Sequence, residues 1–138
     1  MNREDKIAVV ERLHLLWNTG DLALVPTIYK HDFVAHMPKR WERSEFVGHA
    51  GVKDAILRIR NAFTNWHEVI EDIIVEDDKV VTRYISTGIH TGDFVGLAPT
   101  GKSIQIDEMS IYRLENGLVA EQWCLTDDLT LNRQLGRM

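Results

Sequence analysis

The chain has 138 residues, of which 44% are hydrophobic and 27% charged, and its formal net charge is −5. This length predicts a single domain over residues 1–138 that can bury a core without a disulfide or a metal ion. The negative charge argues against nucleic acid and anionic membranes as partners, since both attract clustered Lys and Arg.

The cysteine content and the amino terminus bear on location. The chain has one cysteine, Cys124, which cannot form an intrachain disulfide. This predicts a reducing, cytoplasmic setting. The first residues, MNREDKIAVVERLHLLWN, are charged and amphipathic and lack the apolar segment of a signal peptide. No apolar run is long enough to span a bilayer.

The first half of the chain has mainly helical signals. Apolar residues at helical spacing predict a helix over residues 2–17 that ends at Gly20. The segment DLALVPTIY predicts a short second helix with Asp21 as its N-cap. An extended segment, DFVAHMP, and a loop, KRWERSEFVGHAG, separate it from a third helix over residues 52–63.

The second half has strand signals. Four segments are rich in β-branched residues, and their order predicts a meander: HEVIEDIIVE, KVVTRYISTGIH, KSIQIDEMSIYRL and LVAEQWCLT. Asn116-Gly117 is a strong signal for the last hairpin turn. Helices followed by strands predict an α+β fold, in which a curved antiparallel sheet wraps around about three helices and forms a cone with an internal cavity.

The last strand contains the first candidate for chemistry. Strict alternation places Trp123, Leu125 and Asp127 on one face, and the two apolar side chains favour that face as the inner one. Asp127 would then lie near the cavity rim, where desolvation would raise its pKa toward that of a general base acting on an acidic C–H. Alternatively, Asp127 is the N-cap of a helix formed by DLTLNRQLG.

Other candidates also have two interpretations each. His36 either faces the cavity, where it could hydrogen-bond a carbonyl, or is a partly buried histidine satisfied by backbone. His90 either reaches the cavity mouth or braces the following loop. Four aromatic residues are candidates for contact with a flat ligand, although core packing would explain them as well: Trp41, Phe63, Tyr84 and Trp123. In the strand over residues 103–114 both faces mix apolar and polar residues, so periodicity does not assign the cavity side.

The sequence gives no support for a metal site or a phosphate loop. The six histidines lack close ligand spacing, and Cys124 has no cysteine partner and is better explained as a packed residue. GLAPTGKS matches the letters of a phosphate-binding loop. A strand rather than a helix is predicted after it, and Pro99 removes a backbone donor. The match is therefore interpreted as a false positive.

Five segments together resemble the SnoaL-like polyketide cyclases, also called ester cyclases: FVAHMP, IEDIIVEDDKVVTRY, GIHTGDFVGLAPTGKSI, IYRLENGLVAEQW and DDLTLNRQLG. The resemblance covers nearly the whole chain. It implies the α+β cone of the nuclear transport factor 2-like superfamily and a cofactor-free aldol ring closure of polyketide esters.

The resemblance also assigns roles to positions of this chain. It implies that Asp127, or the adjacent Asp128, is the acid/base at the end of the last strand, and that His36 and His90 match recurring histidines of the family. Two positions depart from the family pattern. Some relatives have an acidic residue where this chain has Cys124, and many have histidine where it has Gln122.

Three functions therefore compete. The first is a cyclase that needs no cofactor, acts on a small hydrophobic or aromatic carbonyl substrate through Asp127 and holds the enolate with His36 and His90. The second is an isomerase, or an epoxide hydrolase built on Arg83, Asp107 and Asp127. The third is a binding module without catalysis, in which Asp127 is bonded to backbone amides. By analogy, the chain is expected to form a homodimer or a higher homo-oligomer, with pairing through the outer faces of the sheet.

Overall fold

The structure is a computed structural model that describes residues 1–137. Within that range the helices are α1 (Arg3–Thr19), α2 (Val25–Ile28), α3 (Gly48–Ala62) and α4 (Asp128–Leu135), with a 3-10 turn at Leu22–Leu24. The strands are β1 (Tyr29–His36), β2 (Glu45–Val47), β3 (Phe63–Glu76), β4 (Lys79–His90), β5 (Ser103–Glu115) and β6 (Leu118–Thr126).

Helix α1 begins and ends at residues suited to those positions. The side chain of Asn2 accepts a hydrogen bond of 2.8 Å from the backbone N–H of Asp5, which satisfies one free donor of the first turn. Gly20 ends the helix in the left-handed conformation, with φ of 72°. Between them one face buries Val10, Leu13 and neighbouring residues against the sheet.

The sheet has six strands in the order β2-β1-β6-β5-β4-β3. Strands β3 to β6 form the antiparallel meander that the sequence predicts. The prediction of a wholly antiparallel sheet is wrong, because β1 runs parallel to β6. The short β2 lies in the predicted loop and pairs antiparallel with β1 at the sheet edge. The α+β fold class is confirmed.

Helices α1 and α3 pack against the inner face of the sheet and form most of the core with it. Strand β3 shows register shifts against β4 between Thr64 and His67 and between Ile70 and Asp72. Such bulges bend a strand and increase its twist. The sheet therefore curves around the helices, and the residues of its inner face converge on one enclosed space.

The loop between β4 and β5 is fixed at its base. The backbone N–H groups of Thr91 and Gly92 both donate to the carbonyl oxygen of Ala62, at the end of α3. A Cβ on Gly92 would collide with the carbonyl oxygen of Asn61, so the loop approaches α3 as closely as only glycine allows. Strand β5 follows this loop, which confirms that GLAPTGKS is not a phosphate loop.

None of the helices within residues 1–137 is both long and apolar enough to cross a membrane.

Candidate active site

A cavity, partly open to solvent, lies between the two long helices and the inner face of the sheet. Its wall is formed by Leu13, Trp17, Met37, Trp41, Ile59, Trp66, Glu68, Tyr84, Glu108, Tyr112, Gln122 and Cys124. A second, adjoining space shares Trp41, Ile59, Trp66 and Glu108 with it. Glu108 thus contacts both spaces.

Glu108 is a buried carboxyl group in the middle of the sheet. It lies directly across from Tyr84 on β4 and from Thr126 on β6. The hydroxyl groups of Ser86 and Thr126 donate to its two oxygens at 2.7 and 2.8 Å. Burial, and secondly the negative charge of Glu68, raise the pKa of Glu108 from 4.5 to about 7. Such a group can both accept and return a proton near neutral pH.

The second carboxyl group of the cavity, Glu68, is tightly paired. One oxygen lies 2.7 Å from Nδ1 of His14, and the other accepts a bond of 2.9 Å from the indole N–H of Trp66. The Nε2 atom of His14 lies 3.1 Å from the hydroxyl of Thr82 and 3.0 Å from that of Tyr112. Glu68 is thus paired with a histidine and an indole N–H, whereas the partners of Glu108 are two hydroxyl groups.

A row of polar side chains crosses the sheet beside Glu108. The hydroxyls of Tyr84 and Ser110 lie 2.9 Å apart, and the amide N–H of Gln122 donates to Ser110 at 3.3 Å. The thiol of Cys124 lies 3.6 Å from the Tyr84 hydroxyl. Burial raises the pKa of Tyr84 and of Cys124, so both stay protonated at neutral pH. Tyr84 is therefore a hydrogen-bond donor rather than an anion.

The structure reverses the predicted faces of β6. Trp123 and Leu125 point away from the helices and are 36% and 74% exposed. Gln122 and Cys124 face the cavity instead. The prediction was wrong because it assigned the more apolar face to the inside, whereas in β6 the inner face is polar where it lines the cavity and the outer face is apolar.

Asp127 is exposed and serves as the N-cap of α4. Its two oxygens accept bonds from the backbone N–H and the hydroxyl of Thr130, at 3.1 and 2.6 Å. The side-chain bond from Thr130 and then the backbone bond lower the pKa of Asp127, opposite to the predicted direction. The placement of Asp127 in the cavity is wrong, and the alternative prediction of a helix cap is confirmed.

The two candidate histidines also lie outside the cavity wall. Nε2 of His36 lies 2.7 Å from a carboxylate oxygen of Glu121, and its ring stacks on Trp123 on the outer face of the sheet. The prediction of a cavity-facing His36 is thus wrong. His90 is buried, and its Nδ1 accepts a bond of 3.2 Å from the backbone N–H of Thr100. It braces the loop, as one of its two interpretations predicts.

The remaining candidates divide between the inside and the outside. Tyr84 and Trp41 line the main cavity, and Phe63 lines the adjoining space. Arg83 is exposed and bonded to Asp72, and Asp107 is exposed too. An epoxide hydrolase site built on Arg83, Asp107 and Asp127 is therefore excluded.

Among residues 1–137, no three or more His, Cys, Asp or Glu side chains are grouped to hold a metal ion.

Sequence reasoning missed Glu108 and Glu68 as cavity residues. In β5 the side chains of Ile104, Ile106 and Tyr112 share the inner face with Glu108. Leu114 continues this face, whereas the outer face ends in Arg113. The face of β5 that contains Glu108 is therefore the more apolar of the two. This difference was the available signal in the sequence, and it would have placed Glu108 inside.

The family model for the SnoaL-like polyketide cyclases matches residues 7–135. No curated protein matches the chain.

Three solved structures are similar to the chain over nearly its whole length. TsrD from Streptomyces laurentii is 27% identical, with a TM-score of 0.88 and coverage of 100% of this chain and 99% of that one. A candidate polyketide cyclase from Bacillus cereus is 31% identical, with a TM-score of 0.80 and coverage of 99% and 85%. AclR, a candidate hydroxylase from Streptomyces galilaeus, is 25% identical, with a TM-score of 0.83 and coverage of 99% and 88%.

The match to the family model extends over nearly all of the chain, and the solved structures have the same architecture, the nuclear transport factor 2-like fold. The chain therefore belongs to the SnoaL-like polyketide cyclase family.

Proposed function

We propose that the chain is an enzyme without a cofactor that closes a ring in a small carbonyl substrate by an intramolecular aldol reaction, with Glu108 as the acid/base. The observation that supports this most directly is a buried carboxyl group with a pKa of about 7 in a mostly apolar cavity. A base of that pKa suits abstraction of a proton next to a carbonyl at neutral pH.

The reaction needs one proton to be moved and one oxygen to be stabilised. The ionised Glu108 takes a proton from a carbon next to a carbonyl, and the resulting enolate carbon attacks a second carbonyl to form the new C–C bond. The protonated Glu108 then gives its proton to the alkoxide that forms. The hydroxyls of Ser86 and Thr126 hold both oxygens of Glu108 throughout.

Tyr84 is the group that would hold the enolate oxygen in place of His36 and His90. It lies directly across from Glu108 on the neighbouring strand and stays protonated. A donor fixed in a desolvated site stabilises developing negative charge better than water does. The hydrogen bond to Ser110 at 2.9 Å fixes the position of the Tyr84 hydroxyl.

A binding module without catalysis is the alternative. The bond of Asp127 to a backbone amide is what that alternative expects. That alternative does not expect a carboxyl group in the cavity without a salt bridge. Glu108 is such a group, because its partners are hydroxyl groups rather than a cation. For this reason we favour the enzyme.

The test uses proton exchange at carbon, because that step comes before ring closure and does not require the natural substrate. The probe is 2-tetralone, a small bicyclic ketone, in D2O, and the rate at which its acidic C–H positions exchange is followed by NMR. We expect the protein to accelerate this exchange. Glu108→Gln should lower the acceleration by about 100-fold, within the usual range for loss of a general base.

The control is Asp127→Asn, which removes the carboxylate that the sequence favours. Because Asp127 lies outside the cavity wall, the exchange rate of this variant should stay within about twofold of the unchanged protein, a change that corresponds to less than 1 kcal/mol. Loss of activity in Asp127→Asn with full activity in Glu108→Gln would reverse the assignment. If none of the three proteins accelerates the exchange, the result would favour the binding module.

We also propose that two copies of the chain pair through the outer face of the sheet. That face exposes a continuous apolar group on β5 and β6, formed by Met109, Ile111, Trp123 and Leu125. Beside it, Arg113 pairs with Glu115 and Glu121, so the face carries charges of both signs. A surface with both signs and an apolar centre can complement itself across a twofold axis.

A further inference from the structure

The side chain of Gln122 is the unexplained polar group of the cavity wall. It extends from β6 into the cavity and is 3% exposed. Its Nε2 donates to the hydroxyl of Ser110 at 3.3 Å. Its Oε1 has no hydrogen-bond partner among residues 1–137. A buried amide oxygen without a donor is unfavourable, because it has lost its water and gained nothing in return.

The neighbouring donors do not resolve this. The hydroxyl of Tyr112 lies across from Gln122 and bonds to His14, and the indole N–H of Trp66 bonds to Glu68. The cavity residues Leu13, Met37 and Ile59 are apolar and have no donor to offer. A donor for Oε1 therefore has to come from a molecule inside the cavity.

We propose that Gln122 recognises a hydroxyl group of the substrate, whose O–H donates to Oε1. The position of the amide makes the expected substrate more specific. The hydroxyl of Ser110 contacts both the Gln122 amide and the Tyr84 hydroxyl, so these two groups are neighbours on the wall. A ligand that uses both carries a hydroxyl next to a carbonyl, as does the enol of a 1,3-diketone or a phenol with an adjacent ketone.

This inference rests on the proposed function for the role of Tyr84, but the recognition of the hydroxyl is a binding property and can be tested without turnover. The probes are 1-naphthol and 1-methoxynaphthalene. They share the flat bicyclic ring, and only the first can donate a hydrogen bond. The quantity measured by calorimetric titration is the ratio of their dissociation constants in the same protein.

In the unchanged protein we expect 1-naphthol to bind more tightly. In Gln122→Met, which keeps the side-chain length and removes the acceptor, this preference should fall by about tenfold, as expected for the loss of one buried hydrogen bond. The matched control is Met37→Leu, which alters the same cavity wall without changing a polar group. It should keep the original preference.

The second control separates this inference from the proposed function. Glu108→Gln should keep the preference for 1-naphthol while it loses the exchange of 2-tetralone protons. If Glu108→Gln still accelerates the exchange of 2-tetralone protons and also keeps the preference for 1-naphthol, the catalytic role of Glu108 is refuted and the role of Gln122 stands. The same preference in Gln122→Met as in the unchanged protein would overturn the inference, and so would the absence of saturable binding of 1-naphthol to the unchanged protein. Because a ratio is compared within each protein, a modest loss of stability in Gln122→Met does not obscure the result, and circular dichroism shows whether each variant is folded.

Discussion

Glu108 combines features that are individually unfavourable for folding. It places a carboxyl group in a mostly apolar cavity, near a second carboxyl group. Its bonds to Ser86 and Thr126 lower the pKa, but desolvation outweighs them. A protein core gains nothing from such an arrangement, and a strongly perturbed group in a cavity is typical of a functional site.

The raised pKa of Glu108 makes a prediction for stability that needs no substrate. Below pH 4.5 the residue is protonated in both the folded and the unfolded chain. Between pH 4.5 and about 7 the unfolded chain has lost this proton while the folded chain holds it, so stability falls as pH rises. Above pH 7 the loss is complete and amounts to about 3 kcal/mol. Denaturant unfolding should therefore show that the free energy of unfolding, relative to Glu108→Gln, declines by about this amount between pH 4.5 and 8.

The comparison with Glu108→Gln cancels the titration of the groups that do not interact with Glu108, since they are common to both proteins. A difference that does not change with pH would show that Glu108 has an ordinary pKa in the folded protein and would remove the basis for its role.

Residue placement shows where sequence reasoning succeeds and where it fails. Tyr84 lies on the cavity wall as expected, whereas Trp123 does not. Alternation correctly grouped Trp123 with Leu125, but the choice of inner face relied on hydrophobicity. That choice fails where a strand lines a cavity with polar side chains on one face and exposes an apolar surface on the other. In β6 the polar residues that line the cavity and the apolar residues of the outer face both depart from the usual pattern of apolar residues inside and polar residues outside.

At the scale of elements, the helices and the meander follow from local sequence. The turn at Asn116-Gly117 is as predicted, and both residues have positive φ, of 51° and 80°. The parallel pairing of β1 with β6 joins segments that are distant in sequence. No local pattern encodes such a pairing, which explains why the sheet was predicted as wholly antiparallel.

The base of the loop between β4 and β5 gives a prediction at this scale. In Gly92→Ala the added Cβ would meet the backbone of Asn61, which cannot move without shifting the end of α3. We expect a loss of about 3 kcal/mol in the free energy of unfolding, at the upper end for overpacking. Gly96→Ala is the control. Its Cβ would meet no atom within 4 Å, so only the φ of 79° opposes it, at a cost of about 1 kcal/mol. Equal losses in the two variants would contradict a close contact at Gly92.

At the scale of the whole molecule, the outer face of the sheet predicts a dimer. Leu125 is the most exposed of its large apolar residues. Leu125→Lys should convert a dimer into a monomer, measured by light scattering after size-exclusion chromatography at micromolar concentration. The matched control is Leu57→Lys on α3, which is also exposed but lies in the helix layer rather than on the sheet face. A monomeric unchanged protein, or an equal effect of both variants, would contradict pairing through this face.

The two long helices cover the inner face of a curved sheet and leave a cavity lined by two carboxyl groups, Glu68 and Glu108. The proposed function depends above all on Glu108 acting as a base in this cavity. The most direct measurement is the pH dependence of protein-catalysed 2-tetralone exchange. We expect the rate to rise with pH as Glu108 ionises, with a midpoint near 7, and we expect Glu108→Gln to lack this rise. A midpoint near 4, or the same rise in Glu108→Gln, would contradict it.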